Sequence, residues 1–143
     1  DDYKIVSENK MYTFENSEGY AGMTVSGAVP SALEKAKKVA GIDFMGKVRL
    51  SKPSTAVEFP VSGECEIRIY AVSANKEEVR SLVLNDGENH IISFNSTGWA
   101  DVDGSAAVYK YNGDAGNIKI SANSGVDVYG IEVFSKRLEE VIK

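Results

Sequence analysis

The stretch GKVRLSK, residues 46–52, alternates in the way that a half-buried β-strand does. Val48 and Leu50 fall on one side of such a strand, whereas Lys47 and Arg49 fall on the other side. The pattern predicts a strand whose apolar side packs in a core. It leaves open what the strand gains from positive charge on its other side, in a chain whose net charge is −5.

Alternating runs of this kind follow one another along most of the chain. They include TAVEFPV (55–61), CEIRIYA (65–71) and NIKISA (117–122), and turn sequences such as Asn85-Asp86-Gly87 separate them. We count about nine to ten short strands with turn signals every 8–12 residues, which is typical of sandwiches and jelly rolls. The predicted fold is therefore all-β, an antiparallel β-sandwich of jelly-roll type.

One segment departs from this pattern and predicts a helix. In PSALEKAKKVAG (30–41), Ser31 suits an N-cap and Glu34 stands three residues later, as in a capping box. Gly41 is a natural helix terminator. We therefore predict one short helix near residues 31–40.

Length and composition predict one domain with an ordinary core. The chain has 143 residues, of which 43% are hydrophobic and 26% charged. We assign residues 1–135 to a single module and residues 136–143 to a linker or tail. The net charge of −5 argues against nucleic-acid binding, and the chain lacks the run of about 18 apolar residues that a membrane helix needs. We expect a monomeric module that is part of a larger protein.

Few residues suit the common catalytic sites. The chain has one histidine, His90, and one cysteine, Cys65, which argues against histidine triads and multi-histidine metal sites. Cys65 stands in phase with Ile67 and Ile69, so we expect its thiol to be buried. In DVDGS (101–105) the glycine comes too early for an EF-hand calcium loop. We predict no enzyme and no cofactor; a structural calcium ion is compatible with the sequence but not predicted.

A cation between two inward aliphatic residues occurs three times, in VRL, IRI and IKI. If these three strands share a sheet, Arg49, Arg68 and Lys119 meet on its outer face, together with Lys47 and Tyr70. Alternatively, the cations lie apart and each pairs with a neighbouring Asp or Glu. The first arrangement predicts a basic binding surface, and the second predicts an ordinary solvated one.

Two long segments, GKVRL…AVEFPVSGECEIRIYAVS and NIKISANSGVDVYGIEVF, resemble family 77 carbohydrate-binding modules. The resemblance implies a β-sandwich that binds homogalacturonan through basic contacts to uronate carboxylates. It also implies attachment to a secreted, pectin-degrading bacterial enzyme of plant cell-wall breakdown. Carried onto this chain, the contacts fall on Arg49, Arg68 and Lys119, with Lys47 as a neighbour. The chain departs from the family in having arginine at two positions where we expect lysine.

Two other functions fit the same fold. Aromatic side chains could stack on a neutral plant glycan; the candidates are Trp99, Tyr109, Tyr111 and Tyr129. Trp99 could equally close one end of the core. The chain could also be a structural or protein-interaction sandwich that binds no polysaccharide.

Overall fold

The computed structural model describes residues 2–94 and 106–142, apart from the side chains of residues 137 and 138. Trp99 and the DVDGS segment lie outside these residues. The described residues form the following strands: β1 Tyr3–Thr13, β2 Thr24–Ser26, β3 Ser31–Val39, β4 Ile42–Leu50, β5 Ala56–Val61, β6 Cys65–Ser73, β7 Arg80–Asn85, β8 Asn89–Phe94, β9 Ala107–Tyr111, β10 Gly116–Ala122 and β11 Val126–Glu140. This part of the chain has no helix, and hence none long and apolar enough to cross a membrane.

The strands form two antiparallel sheets that pack face to face. The six-stranded sheet has the order β3-β4-β11-β6-β9, and β1 pairs with the distal part of β11. The five-stranded sheet has the order β2-β5-β10-β7-β8. The prediction of an all-β antiparallel sandwich is confirmed.

The core lies between the two sheets and consists of the inward residues of the predicted alternation. Val48 and Leu50 of β4 and Ile67 of β6 face Phe59 and Ile120 of the opposite sheet, and all five are nearly inaccessible to solvent. Burying each such side chain contributes about 1.5–3 kcal/mol to folding. Cys65 is buried as predicted, and this burial raises the pKa of its thiol. The alternation therefore predicts these core residues correctly.

The predicted helix is wrong, because residues 31–39 form β3. This strand pairs with β4 through a tight hairpin in which Ala40 and Gly41 have φ of 50° and 79°. Two successive positive φ angles are typical of a type I′ hairpin turn, so Gly41 completes a turn and does not end a helix.

A second apolar cluster on the outer face of the six-stranded sheet explains why this segment is extended. Val39, Phe44, Tyr70, Val72 and Tyr129 are buried together there, and we call them the outer cluster. Leu33 of the hairpin packs against it as well. Since burial of this cluster requires an extended hairpin over the sheet, tertiary contacts override the helical propensity of the segment.

The end of the described chain continues the six-stranded sheet. β11 pairs with β1 along its whole distal half, from Gly130 opposite Thr13 to Glu140 opposite Tyr3. Residues 136–140, which the sequence assigns to a linker or tail, are therefore part of a strand pair.

Candidate functional site

A compact ion-paired group lies on the outer face of the six-stranded sheet. Arg49 donates two hydrogen bonds to the Asp127 carboxylate, from Nε at 2.7 Å and from Nη2 at 3.2 Å. Lys47 Nζ lies 3.3 Å from the same carboxylate. The geometry follows from strand register, because Arg49 stands directly opposite Asp127 in the β4–β11 pair. Two cations therefore share one carboxylate.

The two sides of this group differ in their access to solvent. Asp127 is only 5% exposed, whereas the side chain of Arg49 is 53% exposed and that of Lys47 is 28% exposed. Hydrogen bonding to Asp127, followed by the charge of that carboxylate, raises the pKa of Arg49. Asp127 accepts from two of the five guanidinium N–H donors, so it leaves three donors unused on a side chain that is half exposed and oriented by the pair.

Two further cations border this group. Burial lowers the pKa of Lys37, and the charges of Asp127 and Lys47 also act on it, so Lys37 lies close to both. Arg80 Nη1 donates a hydrogen bond to the Gly125 carbonyl at 3.1 Å. A Cβ added at Gly125 would also lie 3.8 Å from Arg49 Cδ, so both arginines lie beside this glycine.

We call Lys37, Lys47, Arg49, Arg80 and Asp127 the cationic patch. At the centre of the patch, Lys47 and Arg49 share the single carboxylate of Asp127, and at its border Arg80 pairs with Glu78 at 3.0 Å, so among these ion-paired residues of the described chain the cations outnumber the carboxylates at Asp127. The patch therefore carries positive charge on a protein of net charge −5.

Arg68 lies on the same sheet but in a different environment. Its guanidinium lies 2.7 Å from Glu66 and 3.8 Å from Glu132, so two carboxylates surround one cation. Arg68 stands opposite Glu132, five residues beyond Asp127 on β11. That offset corresponds to roughly 15 Å along the strand. Arg68 therefore does not extend the cationic patch.

Lys119 lies on the other sheet. It belongs to β10 of the five-stranded sheet, where it stands opposite Glu58 of β5 and points away from the core. The condition that the VRL, IRI and IKI strands share one sheet does not hold for this strand, so for Lys119 the alternative arrangement, in which the cations lie apart, is the one observed. Arg49 and Lys119 occupy opposite outer faces of the sandwich, so they cannot contact one sugar chain on one face.

The predicted aromatic contacts divide between buried and accessible positions. Tyr70 is on the outer face of the correct sheet, but it is only 4% exposed and donates its hydroxyl to Glu132 at 3.1 Å. Tyr129 is 6% exposed, and burial raises its pKa to about 12. Neither ring can serve as a stacking platform, whereas Tyr109 and Tyr111 lie half-buried at the sandwich edge.

Sequence reasoning missed Asp127 and Arg80, which complete the patch. The available signal for Asp127 was an acidic residue between two inward valines in VDV, at a position predicted to face outwards. Arg80 gave no such signal, because only the turn at Gly125 brings it beside Arg49. Within the described residues, no group of three or more His, Cys, Asp or Glu side chains could hold a metal ion.

No family model matches the chain, and no curated protein matches its sequence. Solved structures do match. A protein of the Ruminococcus flavefaciens cellulosome, described in connection with glycan recognition, is 12% identical with a TM-score of 0.59, over 88% of this chain and 92% of that one. A family 36 carbohydrate-binding module in complex with calcium and xylotriose is 17% identical with a TM-score of 0.50. The match covers 87% of this chain and 98% of that module.

The same fold also occurs as a part of longer enzymes. An exo-β-1,3-galactanase from Phanerochaete chrysosporium is 15% identical with a TM-score of 0.58, over 88% of this chain but only 29% of the enzyme. At such identities the likeness shows the fold alone. This chain has the β-sandwich fold of carbohydrate-binding modules, and its resemblance to family 77 remains a prediction.

Proposed function

We propose that this chain is a non-catalytic carbohydrate-binding module that binds an acidic pectic glycan, low-esterified homogalacturonan, on the cationic patch. The observation that carries the proposal is the sharing of the buried Asp127 carboxylate by Lys47 and Arg49, which leaves positive charge and free donors at the surface. The fold supports a binding role, because structures that this chain covers almost entirely include a carbohydrate-binding module.

The chemistry of the patch suits a uronate. Galacturonate is ionised at neutral pH, and its carboxylate accepts charge-assisted hydrogen bonds from arginine and lysine. Asp127 holds the Arg49 guanidinium in place, so less side-chain freedom is lost when a ligand binds. Methyl esterification removes the charge of the uronate and should therefore weaken binding.

The expected affinity is low. Exposed ion pairs contribute about 0–1 kcal/mol each, and salt screens them over about 8–10 Å. A few such contacts with sugar packing could reach about 5–6 kcal/mol, a dissociation constant of order 0.1 mM. Attachment to an enzyme on a polymeric substrate raises the effective concentration and compensates for weak single contacts. The short screening length also limits the effect of acidic residues elsewhere on the surface.

The biological setting follows from this role. As a module of a larger secreted protein, the chain would hold a plant-cell-wall-degrading enzyme close to pectin outside the cell, and it would act as a monomer. Longer enzymes that contain the same fold support such an arrangement.

Affinity electrophoresis in gels containing polygalacturonate tests the proposal. We expect retardation of the wild type, less retardation at high salt, and none with highly methyl-esterified pectin. Arg49→Ala and Lys47→Ala should each lose at least threefold in affinity, whereas Lys119→Ala, the matched cation on the opposite face, should bind like the wild type. Absence of retardation, or equal losses in all three variants, would overturn it.

A further inference from the structure

A cleft lies at the open edge of the sandwich, beyond the end of β7 that is remote from Arg80. It is bounded by the β7–β8 turn of one sheet and by the end of β9 of the other sheet, and its volume is about 410 Å³. Clefts of about 300–1,000 Å³ are typical of small-ligand sites. We call it the edge cleft; its main side chains are Asp86, Glu88, His90, Tyr109, Tyr111 and Asn112.

One hydrogen bond between the two sheets and one within the β7–β8 hairpin hold one wall of the edge cleft in shape. Tyr109 donates its hydroxyl to Asp86 Oδ2 at 2.5 Å, and His90 Nε2 lies 3.1 Å from Asp86 Oδ1. The rings of His90 and Tyr109 also contact each other, with centroids 5.0 Å apart. The hydrogen bond from Tyr109 lowers the pKa of Asp86, which keeps this carboxylate ionised and able to accept hydrogen bonds.

The loop after β9 holds the side chain of Tyr111, the last residue of that strand, in place. Its hydroxyl donates to the Asp114 carbonyl at 2.6 Å. A Cβ at Gly113 would overlap the Tyr111 ring, 2.6 Å from Cζ and 2.9 Å from Cε1, so the ring lies directly against the glycine backbone. Tyr111, together with Lys110 and Asn112, also lines a neighbouring cleft of about 360 Å³. The hydrogen bond holds the ring in this position, and the absence of a Cβ at Gly113 leaves room for it.

The charge of the edge cleft is opposite to that of the cationic patch. Asp86 and Glu88 are both acidic, and Lys110 is the only permanent cation among the described residues that line it. A polyanion is therefore disfavoured here. An uncharged ligand with many hydroxyl groups can donate to the carboxylates, contact the Asn112 amide and place an apolar ring face on tyrosine.

We propose that the edge cleft is a second glycan site, which binds a neutral sugar unit, with Tyr111 as the platform and the exposed Glu88 carboxylate and the Asn112 amide as its hydrogen-bonding groups. Asp86 accepts hydrogen bonds from Tyr109, His90 and the Glu88 backbone. The inference extends the proposed binding role, since the cationic patch binds the acidic glycan and the edge cleft binds a neutral one. Tyr109 and His90 act as positioning residues through Asp86.

NMR titration of the ¹⁵N-labelled protein tests this site directly. The probes are neutral trisaccharides (xylotriose, galactotriose, mannotriose and cellotriose), with trigalacturonate as the acidic comparator. We expect at least one neutral probe to shift the amides of Gly87, Tyr111 and Asn112, with millimolar or tighter affinity. Trigalacturonate should instead shift amides around Arg49.

Two variants complete the test. Tyr111→Ala should lose at least fivefold in affinity for the neutral probe, whereas Tyr3→Ala, a tyrosine that is 60% exposed on β1, should bind like the wild type. Gly113→Ala keeps the ring but displaces it, and should also weaken binding. Failure of every neutral probe to shift the cleft amides, or wild-type affinity of Tyr111→Ala, would overturn this inference. Neither result bears on the binding of polygalacturonate by the cationic patch, which the Arg49→Ala and Lys47→Ala variants test independently.

Discussion

Arg49 and Asp127 form a two-pronged ion pair across the β4–β11 strand pair, with Nε and Nη2 donating to the two carboxylate oxygens. The carboxylate is almost buried and the guanidinium is half exposed. Asp127 is therefore part of the packed sheet, whereas Arg49 is part of its surface. The pair shows how a paired cation can still face a ligand, because pairing uses only some of its donors.

The Arg49–Asp127 pair should contribute to stability. Arg49→Met removes the two-pronged partner of Asp127, which is 5% exposed, leaves Lys47 and the nearby Lys37 as its cations, and should lower the free energy of unfolding by about 1–3 kcal/mol. Adding Asp127→Asn removes a nearly buried charge that has lost its main partner, so the double variant should recover part of that loss. Urea unfolding of the single and double variants measures this. Strictly additive losses would contradict the coupling.

Arg68 should matter little for binding an acidic glycan. Two carboxylates, those of Glu66 and Glu132, surround Arg68, so this part of the surface has no excess of positive charge that its removal could eliminate. We expect Arg68→Ala to bind polygalacturonate within twofold of the wild type, in contrast to Arg49→Ala. Affinity electrophoresis of both variants at one salt concentration compares their affinities for polygalacturonate. A loss in Arg68→Ala as large as that in Arg49→Ala would restore Arg68 to the site.

Alkaline pH should destabilise the protein through two tyrosines. Burial raises the pKa of Tyr109 and of Tyr129 to about 12, and the Asp86 hydrogen bond adds to the shift of Tyr109. Since both pKa values exceed the unfolded value, this stability is fully present below pH 10 and is lost as pH rises towards 12. Thermal melting of the wild type and of Tyr109→Phe from pH 8 to 11.5 measures it. Tyr109→Phe should show a shallower decline above pH 10, and an identical decline would contradict the assignment.

Two strand glycines should differ sharply in their tolerance of alanine. A Cβ at Gly46 would overlap backbone atoms of Phe14 and Glu15, and backbone cannot move aside as a flexible side chain can. At Gly116 nothing lies within 4 Å of an added Cβ. We expect Gly46→Ala to cost about 3 kcal/mol or more, and Gly116→Ala to change stability by less than about 1 kcal/mol. Chemical unfolding of the two variants provides the comparison.

Period-two alternation was sufficient to predict the class of fold and much of the core. Val48, Leu50, Cys65, Ile67 and Ile69 are buried where the pattern places them, because side-chain direction in a strand depends only on local backbone geometry. The same local reasoning failed at residues 31–39. There a helical spacing and a capping box were outweighed by burial against Phe44 of the adjoining strand and against Tyr70 and Tyr129, which come from distant parts of the chain.

The sequence by itself thus determined which side of each strand is apolar, and that cations stand on the outer sides of β4, β6 and β10. Only the tertiary structure decided which strands are neighbours. It placed Lys119 on the opposite sheet, surrounded Arg68 with carboxylates, and brought Asp127 and Arg80 to Arg49. The physical reason is that strand order depends on long-range backbone pairing and core burial, whereas alternation along one strand reports only its own two faces.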